Sequence, residues 1–377
     1  MLLIPGPVDV PDPVLRASAY VINHRSPEFR EIVKDCEEML NNFANSTRTV
    51  ITTGSGTTAV ESMIFSLTRP NEKVLTVSFG EFGDRMIESL VRRGTKIQII
   101  KKSVNDVLTE EEVEKILSED HGIDSLFLVQ NETGNGTSIR NLREITKIAK
   151  QYGVKVFIDS VSAFGAVPIN LNEWGIDAMA TCSQKGLASV PGLGIVSLGK
   201  ELSDHIPDGK DIPQYLDLSI SLKFLDRHET PYTPSTGSFN ALRTALWILE
   251  KEGIENRWRR ISSNANFLRE YLSRSGADII GNENNYSDTV IAFKPSNDIN
   301  KVIDGLADKG IIVSKGMGPL NKDTIRIGNL GMINGMDIMK FLNIYFEITG
   351  STIKVDESDI PPESMIDGDV LENIEEK

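Results

Sequence analysis

Cysteine, tryptophan and histidine are scarce in this chain, at 2, 3 and 4 among 377 residues. Two cysteines, Cys36 and Cys182, cannot build a disulfide framework at this size, and their scarcity suits a reducing, cytoplasmic compartment. No metal site is expected. Long apolar runs are missing too: none approaches the ~20 residues that a membrane helix needs. The opening MLLIPGPVDVP lacks a basic stretch and breaks into prolines at once, so it does not read as a secretory signal. Positive charge is in deficit, with 40 Lys+Arg against 54 Asp+Glu and a net charge of −14. That balance argues against nucleic acid and anionic membranes, which both require basic patches. Much of the deficit is local, since residues 355–377 hold nine acids and one base. With Pro361, Pro362 and few aromatics, 351–377 reads as a solvated, partly disordered acidic tail. There are no repeats and no low-complexity tract.

What is present is ordinary for a soluble globular protein: 40% hydrophobic and 25% charged residues. The length exceeds the ~250–300 residues at which single cores stop growing, so a large unit plus a smaller one is expected. Between about 50 and 199, β-rich runs (49–52, 74–79, 96–100, 125–130, 154–158, 178–182 and 194–198) alternate with helical patterns. Ala59, Val60, Met63, Ile64 and Leu67, for example, fall on one helical face. Alternation of this kind predicts an α/β fold with a mostly parallel seven-stranded sheet covered on both faces. Ligands of such sheets sit at the carboxyl ends of the strands. A long helical stretch over 238–274, interrupted near Gly253, leads to a smaller C-terminal α+β unit. Its pattern is strand 289–293, helix 299–309, strands 311–314 and 324–327, and helix 336–348. The division expected is 1–20 as an N-terminal segment, 21–250 large, 251–350 small and 351–377 tail.

The chemistry-bearing residues fall at strand ends. Lys185 follows the run 178–182 and precedes a small-residue loop, a position where desolvation would free its amine to attack an aldehyde; taken alone it reads first as a surface lysine after a strand, and its company with Asp159 shifts that reading. Asp159 ends the run 154–158. It suits a carboxylate set against a pyridine nitrogen, or simply a cap for the next turn. The turn Gly54-Ser55-Gly56-Thr57 joins a strand to a helix and offers N–H groups and hydroxyls to a phosphate. With Ala59 it also spells the dinucleotide fingerprint G-x-G-x-x-A, but no acidic residue ends the following strand as that motif requires. Phe82, between two glycines, suits stacking on a planar ring or packing in the core. Thr133 either reaches a ligand or stabilises a turn. Arg326 is a cation inside an apolar strand, fit for a substrate carboxylate or for an internal salt bridge.

In these residues the chain resembles the class V, fold-type I pyridoxal-phosphate aminotransferases, specifically the alanine–glyoxylate / serine–pyruvate branch. The resemblance covers the chain to about residue 350. It rests on Pro5-Gly6-Pro7, His24-Arg25-Ser26-Pro27-Glu28-Phe29, Gly54-Ser55-Gly56-Thr57, Asp159-Ser160-Val161, Ser183-Gln184-Lys185 and Arg326-Ile327-Gly328. It implies that Lys185 forms the Schiff base and shuttles the proton, while Asp159 binds the pyridine nitrogen. It also implies Phe82 on the ring, Thr133 at the ring hydroxyl, and Ser55, Gly56, Thr57 and Gln184 on the phosphate. Arg326 and Gly6 would contact the amino acid, and residues 1–20 would pack near the site. A homodimer is implied, with Thr233 reaching the neighbouring subunit's cofactor and Thr230 at a position that is tyrosine in some relatives. One departure is Asn131-Glu132-Thr133-Gly134-Asn135-Gly136, where relatives often read Asn-Glu-Thr-Ser-Thr-Gly. The acidic tail has no counterpart.

Other readings predict different features. Cysteine desulfuration on the same fold calls for His before the lysine, where this chain has Gln184, and for a cysteine on a mobile loop. Transfer from 2-aminoethylphosphonate to pyruvate calls for a phosphonate site, and no further basic cluster surrounds Arg326. An NAD-dependent oxidoreductase would rest on the Gly54–Ala59 turn alone, and a non-enzymatic scaffold would leave the convergence of four such features without a reason.

Overall fold

The computed structural model of the protein describes residues 1–203, 206, 209–372 and 374. Seven strands form the central sheet: β1 (Arg48–Thr53), β2 (Lys73–Ser78), β3 (Lys96–Lys101), β4 (Ser125–Val129), β5 (Lys155–Asp159), β6 (Ala178–Cys182) and β7 (Leu193–Leu198). Their order is β1-β7-β6-β5-β4-β2-β3. The pairs from β6 to β3 are parallel, and β7 runs antiparallel to both β1 and β6. All seven expected runs become strands. The central ones are buried along their whole length in β4 and β6, which is why they read as continuous apolar runs rather than alternating ones.

Because β2, β4, β5 and β6 point the same way, their carboxyl ends open on one rim. Asp159 closes β5, and Lys185 lies three residues past the end of the adjacent β6. On the same rim, β1 turns into α1 (Gly56–Leu67) and β2 into α2 (Glu81–Arg93).

The expected long helical stretch is two helices, α3 (Thr236–Glu252) and α4 (Ile254–Arg274), separated at Gly253, whose φ is +80°. That conformation is costly for any residue with a Cβ, so glycine is where the helix breaks. Around this joint sits a buried charge cluster. Arg257 and Arg260, each 1% exposed, both bind Glu252. Arg257 also donates to Gly186 O at 3.1 Å, and Arg260 to Gly331 O at 2.9 Å. The loop that carries Lys185 is thereby tied to the C-terminal unit. Removing Glu252 would leave two buried guanidiniums without their carboxylate, at a cost of about 3–5 kcal/mol.

The C-terminal unit is a four-stranded antiparallel sheet, β8 (Asp278–Ile279), β9 (Val290–Lys294), β10 (Ser314–Lys315) and β11 (Ile325–Gly328), in the order β8-β9-β11-β10. Helices α5 (Ile299–Asp308) and α6 (Gly335–Thr349) pack with it around Phe293, Ile325, Ile327, Phe341 and Tyr345. Two details differ from the sequence pattern. The short β8 was not expected. The strand expected at 311–314 is displaced to Ser314–Lys315, because Ile312 pairs instead with the N-terminus: Leu3 N donates to Ile312 O, and Ile312 N to Met1 O.

The disordered tail expected after Ser351 is corrected for the described residues. Val355 joins the core of the C-terminal unit, while Val370 and Ile374 are buried against Val14, Ala241, Ala245 and Ile248. Ser364 is fully buried and bonds to Ser263 at 2.9 Å. The described acids of this segment are exposed, while Val355, Val370 and Ile374 turn inward and Met365 and Leu371 stay exposed. Charge density hid an apolar stripe too thin to register as a pattern. Asn373 and 375–377 lie outside the described residues.

Candidate active site

A cavity of about 170 Å³ opens on the rim, lined among others by Ser55, Gly56, Thr57, Phe82, Asp159, Val161, Gln184 and Lys185. Seven of the residues singled out from sequence therefore surround one space. Lys185 Nζ donates to the carbonyl of Pro5, which arrives from the N-terminal segment, itself anchored by Gly328 N to Leu3 O at 2.9 Å and Val8 N to Gln184 O at 3.3 Å. Gly6 completes that turn at φ +115°. A Cβ there would sit 2.5 Å from Lys185 Cδ and 2.8 Å from Nζ. Gly6→Ala must displace the amine or the turn, and misplacement by ~1 Å costs about 100-fold in rate. We expect kcat to fall ten- to a hundredfold, ~1.4–2.8 kcal/mol in barrier, together with a lower melting temperature, because φ +115° is strained for alanine. Steady-state kinetics beside a thermal melt check this.

At the other end of the cavity, α1 begins. Ser55 precedes its first turn, and Thr58 Oγ1 accepts from Ser55 N at 3.2 Å. A Cβ on Gly56 would meet both Val161 methyls at 2.8 Å, so glycine is what lets the helix start pack directly against the loop that follows Asp159. The first N–H groups of a helix have no partner within it and carry a partial positive charge, which suits an anion. Phe82 forms part of one wall, and the Arg85 guanidinium lies 5.1 Å from its ring centroid. Thr133 is not among the residues lining the cavity: its hydroxyl lies 2.6 Å from Ser162 Oγ, and its carbonyl accepts from Arg326 Nη1 at 2.7 Å.

Arg326 is 9% exposed. Its Nε donates to Lys315 O at 2.8 Å, and no carboxylate of the described residues pairs with it, so the internal salt bridge is not its arrangement. Two carbonyls fix the fork in place and leave Nη2 without a protein partner among the described residues. Thr230 and Thr233 lie elsewhere, around a small depression with Thr53, Tyr215 and Tyr232. Thr230 Oγ1 donates to Tyr232 O at 2.9 Å. Cys36 and Cys182 are both buried, one in a helix and one in β6, and burial pushes the Cys182 thiol up to about 12. Neither offers the mobile thiolate of a desulfurase.

Burial dominates the electrostatics. It lowers the Lys185 ammonium below its usual range, reinforced by the charge of Arg326 and opposed by Cys182 and Asp159. It pushes the Asp159 carboxyl up to about 6, helped by Glu132 and opposed by the Val161 N–H and Lys185. Asp159 Oδ1 accepts from Val161 N at 2.9 Å, and its other oxygen has no hydrogen-bond partner among the described residues. A buried carboxylate short of one cation, a desolvated amine and a helix N-terminus around one cavity match the three ends of pyridoxal phosphate: ring nitrogen, aldehyde and phosphate.

The raised Asp159 pKa has a consequence for stability. The folded carboxyl holds its proton more tightly than the unfolded one, whose value is near 3.8. Stability of the cofactor-free protein therefore falls as pH rises from there to about 6, and the penalty is complete above that. Asp159→Asn removes it, so at about pH 7.5 the cofactor-free variant should be more stable by up to about 3 kcal/mol. The difference should vanish near about pH 4 while cofactor retention is weakened. Denaturant melts at the two pH values decide it: an equally destabilised variant at both would refute the linkage.

Sequence reasoning missed Glu132, which is 2% exposed. Its carboxylate accepts from Phe82 N, Gly83 N and Gly134 N. The available signal was an acid three residues past the end of an apolar strand.

Known proteins match this chain over most of its length. The family model described as Aminotransferase class-V matches residues 16–324. An uncharacterised aminotransferase of Methanocaldococcus jannaschii is 32% identical over 373 residues, covering 94% of this chain and 96% of that one. A serine–glyoxylate aminotransferase of Hyphomicrobium methylovorum is 31% identical, covering 88% and 85%. The crystal structure of an alanine–glyoxylate aminotransferase from Nostoc sp. superposes with a TM-score of 0.85 at 26% identity, over 92% of this chain and 94% of that one.

Proposed function

The chain belongs to the class-V aminotransferases, and from that premise we propose that it moves the amino group of alanine or serine to glyoxylate or pyruvate. That it is a pyridoxal-phosphate-dependent transaminase transferring an amino group to a 2-oxo acid follows from the family and the named relatives. The observation that carries the narrower reading is the close approach of Pro5 and Gly6 to Lys185. Crowding at the reacting amine favours a substrate with a small side chain.

Pyridoxal phosphate, when bound, supplies an electron sink that makes the Cα–H of the amino acid acidic. Lys185 holds the cofactor and then takes the Cα proton on Nζ, a task suited to an amine whose pKa burial has lowered. Asp159 keeps a proton on the pyridine nitrogen. Ser55, Gly56, Thr57 and Gln184 bind the phosphate at the start of α1, and Phe82 covers the ring. Thr133 is assigned to the ring hydroxyl, although its own hydroxyl is here held by Ser162. Arg326 offers its free Nη2 to the substrate carboxylate. Thr233 and Thr230 line a separate depression rather than this cavity, which suits a contact across a homodimer with the neighbouring subunit's phosphate. The division into an N-terminal segment, a large unit, a small unit and a tail near residues 20, 250 and 350 is part of the same proposal, as is a cytoplasmic location. No helix of the described residues is long and apolar enough to cross a membrane.

The test is a set of half-reactions: the purified holoenzyme is mixed with single amino acids while the cofactor's absorbance is followed. Rapid conversion by alanine or serine, and recovery with glyoxylate or pyruvate, are the expected results. Rapid conversion by 2-aminoethylphosphonate alone would overturn the substrate assignment.

A further inference from the structure

The aromatic wall of the cavity and the anchor of Arg326 stand on different segments. Phe82 begins α2, beyond the end of β2. Thr133 belongs to the Asn131–Glu132 and Thr137–Ser138 hairpin beyond the end of β4. The strands are neighbours, yet backbone pairing stops before either segment begins. What joins them is Glu132. Its carboxylate accepts from Phe82 N at 3.1 Å and Gly83 N at 3.1 Å on one side, and from Gly134 N at 3.1 Å on the other.

The place is built for this side chain. Gly80 offers no capping side chain to α2, so the unpaired N–H groups of the first turn are met from outside the helix. A Cβ on Gly80 would lie 3.2 Å from Glu132 Cδ, and one on Gly134 would lie 3.0 Å from Oε1. Both approaches are tighter than most Cβ contacts, so a side chain at either position would push the carboxylate aside and the two glycines form its cradle. Asn135 adds a neutral tie, donating to Phe79 O at 2.9 Å. No cation of the described residues forms a salt bridge with Glu132, and its three partners are backbone amides. One residue away, the Thr133 carbonyl takes the Arg326 Nη1–H at 2.7 Å.

We propose that Glu132 is a positioning residue for the transamination site, clamping the Phe82 wall and the Thr133–Arg326 anchor into one frame. This rests on the functional reading above. Glu132 touches neither Lys185 nor the cavity; it acts through the backbone that carries Phe82 and Thr133. Its charge also lies close enough to act on both Asp159 and Arg326, so its loss alters the cavity's field as well as its shape.

Glu132→Gln tests the clamp in the holoenzyme, because an amide cannot accept on both sides. Asp177→Asn is the control. It replaces another buried carboxylate that accepts from backbone, Val156 N at 2.7 Å, but stands at the opposite ends of the strands. The expected result for Glu132→Gln is a 10- to 100-fold fall in kcat/KM for the amino acid and a shift to lower pH of the bound cofactor's colour change. Amide exchange at Phe82, Gly83 and Gly134 should quicken by a similar factor. Asp177→Asn should lose thermal stability but keep kcat/KM within about twofold. Unchanged exchange at those three amides, or a loss of kcat/KM no larger than in Asp177→Asn, overturns the proposal. If Glu132→Gln does not fold, Glu132→Asp, which keeps the charge and shortens the reach, is judged by the same readings. A wild-type protein that takes up no pyridoxal phosphate would defeat the functional reading instead, and exchange alone would then decide the clamp.

Discussion

Lys185→Ala is expected to slow the amino-acid half-reaction by about four orders of magnitude, the upper end of what one positioned acid–base group contributes. The side chain is desolvated, held by the Pro5 carbonyl and placed beside Asp159 and Arg326. No other amine lines the cavity, so nothing among the described residues there replaces it. Folding should not suffer. Burial lowers the ammonium pKa, so the folded state holds that proton less tightly than the unfolded chain, and removing the amine removes a penalty. Two measurements check this. Single-turnover absorbance changes give the rate, and borohydride treatment followed by peptide mapping should fix the cofactor to the peptide containing residue 185 only in wild type. A variant that keeps a tenth of the wild-type rate would show that Lys185 is not the proton carrier.

Arg326→Leu should lower kcat/KM for amino acids by about a thousandfold, or ~4 kcal/mol, within the range for removing one partner of a buried charge pair. The guanidinium is an unusual buried cation in having no carboxylate partner among the described residues. Its Nε and Nη1 are spent on the Lys315 and Thr133 carbonyls, which fixes the plane in which the remaining nitrogen can meet an anion. Arg326→Lys keeps a charge but cannot bind two carbonyls and a carboxylate in that plane, so we expect it to recover less than a tenth of the loss. The informative comparison is an amine without a carboxylate. If its slow half-reaction falls as far as that of alanine, Arg326 is a structural post rather than a substrate contact.

These residues differ in how openly the sequence announced them. Lys185, Asp159 and the Ser55–Thr57 turn sit just past apolar runs, and a parallel sheet collects such positions on one rim. Strand periodicity alone therefore implied that they meet. Arg326 was legible as a charge where an apolar strand forbids an unpaired one. Thr133 was legible only as a position in a motif, and the hydroxyl that would face a ligand is engaged with Ser162. Glu132 was passed over because its partners are backbone amides, and backbone amides carry no sequence signature.

What the sequence by itself determined is the layered α/β architecture, the break at Gly253, and the set of strand ends that meet around one cavity. All of these follow from local periodicity and from the backbone preferences of single residues. The tertiary structure alone decided which distant segments complete the site. Pro5 and Gly6 reach Lys185 from 180 residues away, Ile312 pairs with the N-terminus rather than extending β10, and the acidic tail lies down on Val14 and Ala241. Each of those contacts depends on shape and on unpaired backbone groups in space. Hydrophobic pattern fixes which face of an element is buried, but not which remote segment arrives to cover it.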